Sequence, residues 1–107
     1  MNAGYLVSRY ETVFAKPVLE RIRIITSPSG EVVKVSVDVH GLTCREAKRF
    51  ISNVVNISKG FCVIEIIHGY RHGTRIKDML RNGFSNPHIR QVAADFTNPG
   101  VTCLQPA

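Results

Sequence analysis

Asp38 and His40 stand one residue apart at the end of an alternating run. A second histidine, His68, opens the stretch His68-Gly69-Tyr70-Arg71-His72-Gly73. Near neutral pH a histidine can take or give a proton, and a neighbouring carboxylate can orient it. Two histidines with a basic flank suit phosphodiester cleavage. One removes a proton from the attacking oxygen and the other protonates the leaving oxygen. Arg71 and the N-terminus of a following helix would stabilise the developing negative charge. Plainer readings exist for the same residues. Asp38 could merely cap the turn at Gly41, with the histidines as satisfied surface groups. A divalent metal held by Asp38, His40 and His68 is geometrically possible, although no fuller ligand set accompanies them. Cys44 lies in the first turn of a helical pattern near His40, so a Cys–His hydrolase is conceivable; a small helix residue is the simpler reading.

Strands must position these groups. Val33, Val35, Val37 and Val39 alternate with Lys34, Ser36, Asp38 and His40. That period of two marks a strand with one buried face, and it puts Asp38 and His40 on the polar side. Gly41 breaks the strand. Thr43 with Glu46 forms a capping box for a helix running to about Ile57. Ala47, Phe50, Ile51, Val54 and Val55 make its apolar stripe, and Gly60 is the expected C-terminal cap. Phe61 to Ile67 is an almost unbroken apolar run that reads as a central strand. Strand, helix, strand in this compass implies a parallel pair with a right-handed crossover. The loops after Val39 and Ile67 then share one rim of the sheet, on strands ~4.8 Å apart. In α/β sheets that edge is where ligands usually sit. Thr74 opens the next helix, with Ile76, Met79, Leu80 and Phe84 inward and Gly83 and Asn86-Pro87 closing it. Arg75 and Lys77 fall in its first turn, where free N–H groups favour a phosphate.

The flanks complete the pattern. Ile22, Ile24 and Ile25 form a strand with Arg21 and Arg23 facing out, and Ser27-Pro28-Ser29-Gly30 turns it back as a hairpin. Ile89 to Phe96 is a strand, Asn98-Pro99-Gly100 fits a type II turn, and Val101 to Leu104 is the last strand. The expected fold is an α+β or α/β two-layer sandwich, ββαβαββ, with two helices on one face of one mixed sheet over residues 21–107. Residues 1–20 read as an N-terminal extension. Leu6, Tyr10, Val13 and Phe14 have helical spacing there, and Pro17 would end the helix.

At 107 residues the chain fits one domain. Its 44% hydrophobic and 21% charged content is ordinary for a globular protein, but the net charge of +6 is not. A small basic domain favours polyanions, with nucleic acid first and acidic membrane second. Cys44, Cys62 and Cys103 make an odd count with no Cys-x-x-Cys pair, which argues against a disulfide scaffold or a common structural zinc site. Cys62 and Cys103 read as buried strand thiols. No signal peptide is visible, and no apolar stretch nears the ~20 residues that span a bilayer. The expectation is a reduced, cytoplasmic protein with no membrane partner.

Together these residues resemble the Smr (small MutS-related) domain family. The resemblance rests on Val37-Asp38-Val39-His40-Gly41-Leu42 with the helix from Thr43. It also rests on Ile66-Ile67-His68-Gly69, on Gly73 before the second helix, and on Asn98-Pro99-Gly100-Val101-Thr102. In order these cover residues ~35–104, which makes the match more specific than any single motif. The resemblance implies a two-layer sandwich like the C-terminal domain of translation initiation factor three. It implies nucleic acid binding and in many members endonuclease activity, with contexts that include the ribosome; the expectation for this chain is RNA slightly ahead of DNA. Carried over by residue, the family's Asp-x-His is Asp38 and His40, and its His-Gly-x-Gly-x-Gly loop is His68, Gly69 and Gly73. Arg71 stands where the middle glycine belongs. It could grip phosphate or fill the space that the chain should use to approach the backbone. Catalytic roles then fall to Asp38, His40 and His68. Nucleic acid contacts fall to Gly69, Arg71, His72, Gly73, Thr74, Arg75, Lys77 and Arg45, with no resident cofactor. The alternative class is a non-catalytic module that binds nucleic acid or the ribosome.

Overall fold

The computed structural model describes residues 1–71 and 73–107, and His72 lies outside the described residues. The elements are α1 (Ala3–Val13), α2 (Lys16–Leu19), β1 (Ile22–Thr26), β2 (Val32–Asp38) and α3 (Cys44–Ser58), then β3 (Val63–Ile67), α4 (Arg75–Gly83), β4 (Ile89–Ala94) and β5 (Val101–Pro106). The five strands form one mixed sheet in the order β1-β2-β3-β5-β4. Only β2 and β3 run parallel; the other neighbours are antiparallel.

Local chemistry accounts for α3. Thr43 Oγ1 accepts from the Glu46 N–H at 3.1 Å, and Glu46 Oε1 accepts from the Thr43 N–H at 3.0 Å. This reciprocal box satisfies N–H groups that a helix start leaves free. Ala47, Phe50, Ile51, Val54 and Val55 are all buried. The helix ends one residue sooner than the glycine suggests. Lys59 itself takes the left-handed cap conformation at φ 52°, and Gly60 follows at φ 75°. A Cβ on Gly60 would lie 3.1 Å from the His88 carbonyl oxygen, so glycine is required there for space as well as conformation.

One core holds the layers together. Val35, Val37, Ile64, Ile66 and Leu104 of the sheet meet the α3 stripe and Ile76 and Leu80 of α4. Burying each such side chain contributes roughly 1.5–3 kcal/mol. The first 20 residues belong to the same core. Leu6 is 0% exposed and Tyr10 2%, and Phe14 packs edge-on against Phe50 with ring centroids 5.3 Å apart. They are an integral part of the sandwich, and the domain boundary drawn from sequence at residue 21 moves to include them. Pro17 opens α2, where its missing N–H costs nothing. All the described helices face this core, so among the described residues no helix lies over the opposite face of the sheet. There Lys34 Nζ donates to Glu65 Oε2 at 2.9 Å and Ser36 Oγ to Glu65 Oε1 at 3.1 Å.

Several boundaries shift from the sequence pattern. Thr26 pairs with Val32 while Ile25 pairs with Lys34, so Val33 bulges out of the ladder and is exposed. Phe61 is exposed and Cys62 buried, both ahead of β3, and Cys103 is half-buried on the uncovered face. Gly100 is not in the left-handed region, so the turn at Asn98-Pro99-Gly100 is not type II. Its glycine serves a close approach instead, since a Cβ there would lie 3.2 Å from Gly69 Cα.

Candidate functional site

The parallel pair brings the two motif loops to one rim. Asp38 is level with Ile67, and the Val39 N–H extends the ladder to the Ile67 carbonyl at 2.9 Å. His68 directly follows β3, and His40 stands in the turn two residues past β2. The β4–β5 turn joins the same rim, because His68 N–H and Gly69 N–H both donate to the Gly100 carbonyl at 2.9 and 3.0 Å.

Asp38 and His40 form a pair. Asp38 Oδ1 accepts from His40 Nδ1 and, at 3.1 Å, from the His40 backbone N–H. The carboxylate therefore fixes the ring while 69% of the imidazole side chain stays exposed. Arg21 braces the backbone beneath. Its Nη1 donates to the Asp38 carbonyl at 3.2 Å and to the His40 carbonyl at 3.1 Å, and its own carbonyl accepts from the Asp38 N–H at 2.8 Å. The sequence reading turned Arg21 outward. The signal that could have found it is the hairpin register, in which Ile22 opposite Val37 puts Arg21 opposite Asp38.

His68 is different. It is buried, its Nδ1 lies 2.7 Å from the Gly69 carbonyl oxygen and its Nε2 2.8 Å from Thr102 Oγ1. A carbonyl can only accept, so Nδ1 carries the hydrogen and Nε2 accepts from the threonine hydroxyl. Burial, aided by the charges of Lys77 and Arg81, holds its pKa below the ordinary histidine value against the opposing bond to Gly69. A neutral imidazole with both nitrogens engaged has none free for proton transfer.

A cleft of ≈ 600 Å³ opens between the loop after β2 and the start of α4. Leu42, Ile67 and Ile76 give it an apolar floor, and Tyr70 stands at its side. Arg71, Arg75 and Lys77 line it, as do His40 and His68, and among the described residues no acidic side chain does. Such a lining suits an anion with apolar parts. Asp38 lies outside it, in a separate hollow of ≈ 260 Å³ bounded by Arg21, Arg23 and Ser36. Arg45 is exposed in the first turn of α3 and lines neither. Gly69 and Gly73 take positive φ values of 77° and 104°, which glycine tolerates best. Thr74 stands at the N-cap position of α4 without capping it; its hydroxyl donates to Asp78 Oδ2 at 2.8 Å instead. The sequence reading missed Tyr70, which is 54% exposed at the cleft.

Asp38, His40 and His68 do not converge as metal ligands. Among the described residues the group that does is Glu65, Asp95 and Cys103 on the uncovered face. Lys34 already neutralises Glu65 there, and Asp95 Oδ1 accepts from the Thr97 N–H and hydroxyl. Burial and the carboxylates of Asp95 and Glu65 push the Cys103 thiol up, away from the thiolate a metal would need. Cys44 packs against the core and has no hydrogen-bond contact with His40. No described helix is long and apolar enough to cross a membrane. Comparison with family models, with curated proteins and with solved structures finds no match for the chain.

Proposed function

We propose that this chain is a nucleic-acid-binding domain of the Smr type, built like the C-terminal domain of translation initiation factor three. It cleaves phosphodiesters, of RNA ahead of DNA, with His40 as the proton-transfer group. The observation that carries this is the exposed His40 ring, anchored by Asp38 at the mouth of a cleft whose charged lining is cationic. With Nδ1–H donated to the carboxylate, Nε2 has its lone pair free to act as a base. On RNA, Nε2 takes the proton of the 2′-hydroxyl and that oxygen bonds to phosphorus. The bond from phosphorus to the 5′-oxygen breaks, and the leaving oxygen takes a proton from water. A cyclic phosphate and a 5′-hydroxyl result. Asp38 stabilises the imidazolium that forms, and Arg71, Arg75 and Lys77 offset the charge that builds on the phosphate oxygens. His68 positions rather than reacts, because its nitrogens are engaged with Gly69 and Thr102.

The second reading is a binding module without catalysis, on nucleic acid or on the ribosome. The observation in its favour is Arg71, a phosphate-gripping side chain at the cleft where the family motif has glycine. One experiment separates the two. Pure protein is incubated with single-stranded RNA and with duplex DNA, with and without EDTA. Product in EDTA supports the histidine chemistry. Product only with added metal moves the reaction to an ion near Asp38 and His40. Binding without product leaves the module.

A further inference from the structure

Two aromatic rings stand out from the rim with nothing packed over them. Tyr70, on the loop after β3, is 54% exposed; Phe96, on the β4–β5 turn, is 102% exposed. Both rings have local anchors. A Cβ on Gly100 would lie 3.3 Å from Tyr70 Cδ1, so the tyrosine ring lies against the 98–100 turn. That turn is tied to the tyrosine loop by the bonds from His68 and Gly69 to Gly100. Phe96 sits between Asp95 and Thr97, which are joined by two bonds of 2.9 and 2.7 Å to one carboxylate oxygen. Both rings thus stand on one rim, and Tyr70 lines the cleft with Arg71, Arg75 and Lys77.

From the sheet order, His40, Tyr70 and Phe96 follow β2, β3 and the β5–β4 turn. Neighbouring strands are ~4.8 Å apart, so this row spans roughly 10–14 Å along the rim. Exposed apolar rings in a row with cations match one ligand chemistry: an anionic backbone that carries unpaired flat bases. Every base has a π-face, while a duplex hides its faces in the stack. Resting on the reading of the rim as a nucleic acid site, we infer that the rim takes a single strand whose bases stack on Tyr70 and Phe96. These rings select unpaired over paired nucleic acid. Stacking does not sense the 2′-hydroxyl, so they do not distinguish RNA from DNA.

The chain has no tryptophan, which gives a direct probe. Phe96→Trp introduces one indole, and the fully exposed position leaves packing undisturbed. Anisotropy and indole fluorescence are followed as short U-rich RNA or T-rich DNA single strands, or a blunt duplex of equal length, are added at low salt. His40→Ala is included in every variant to prevent cleavage. Both single strands should quench the indole and the duplex should not. Phe96→Ala and Tyr70→Leu should each weaken single-strand binding about tenfold, within the range spanned by base–aromatic stacking. Phe61→Ala should change nothing, since Phe61 is exposed ahead of β3, at the strand's opposite end. Single-strand binding that depends on Arg71 but neither quenches the indole nor responds to Tyr70→Leu and Phe96→Ala overturns the stacking and keeps the rim. Equal quenching by duplex overturns the selectivity. No binding of any nucleic acid overturns both the stacking and the proposed function.

Discussion

His68 Nε2 and Thr102 Oγ1 are bonded at 2.8 Å across 34 residues of sequence, in a buried position between the ends of β3 and β5. In the neutral imidazole Nε2 accepts this bond from the hydroxyl, and burial disfavours the protonated ring. The folded pKa is held below the ordinary 6.5, chiefly by burial. The unfolded chain therefore binds this proton first as pH falls. The stability His68 contributes is complete above about pH 6.5 and is lost as pH drops through that value toward the lower folded pKa. Melting temperature measured from pH 8 to pH 5 should fall less for His68→Gln than for the native chain. Equal slopes would remove His68 as the source. Thr102→Val keeps the shape, strands the imidazole nitrogen, and should cost about 1–3 kcal/mol.

His40→Ala should lower the cleavage rate by about 10²–10⁴-fold and leave binding largely intact, since phosphate grip comes from Arg and Lys. Asp38→Asn should cost less if the carboxylate only orients the ring. Single-turnover cleavage, affinity and thermal melts on the same variants make the comparison. Full cleavage by His40→Ala would sink the mechanism.

Arg21→Met removes the brace under the Asp38–His40 backbone while keeping the aliphatic stem. Cleavage should fall up to about 10²-fold from lost positioning, with affinity for single strands unchanged. A matching drop in affinity would instead make Arg21 a phosphate contact.

Replacing Arg71 by Ala should flatten the salt dependence of binding by about one counterion. Titrations at several salt concentrations read this slope directly. An unchanged slope would put the nucleic acid elsewhere on the domain.

Leu6→Ala opens a hole in the shared core and should cost about 2–5 kcal/mol in a denaturant melt. A loss under 1 kcal/mol would mean that α1 packs only loosely on α3.

The parts of the fold that sequence made legible are those with short-range causes. The Thr43–Glu46 box and the stripe from Ala47 to Val55 specify α3 without reference to anything distant. The alternation from Val35 to Val39 does the same for the end of β2. The bulge at Val33 was hidden because Val32 and Val33 are equally apolar and only the partner strand decides which turns inward. The place of Leu6 and Tyr10 was hidden for a like reason: their spacing announces a helix face but not the α3 surface that receives it. At the site, the Asp38–His40 pair was visible in its spacing, whereas the engagement of His68 depends on a threonine far along the chain.

The Lys34–Glu65 ion pair lies on the sheet face that no helix covers. Any second sheet or helix that settled there would strip the remaining water from both charges. That desolvation cost offsets the gain from covering the neighbouring apolar side chains. A bare sheet face would ordinarily invite self-stacking between copies. Here the pair raises the cost of such stacking.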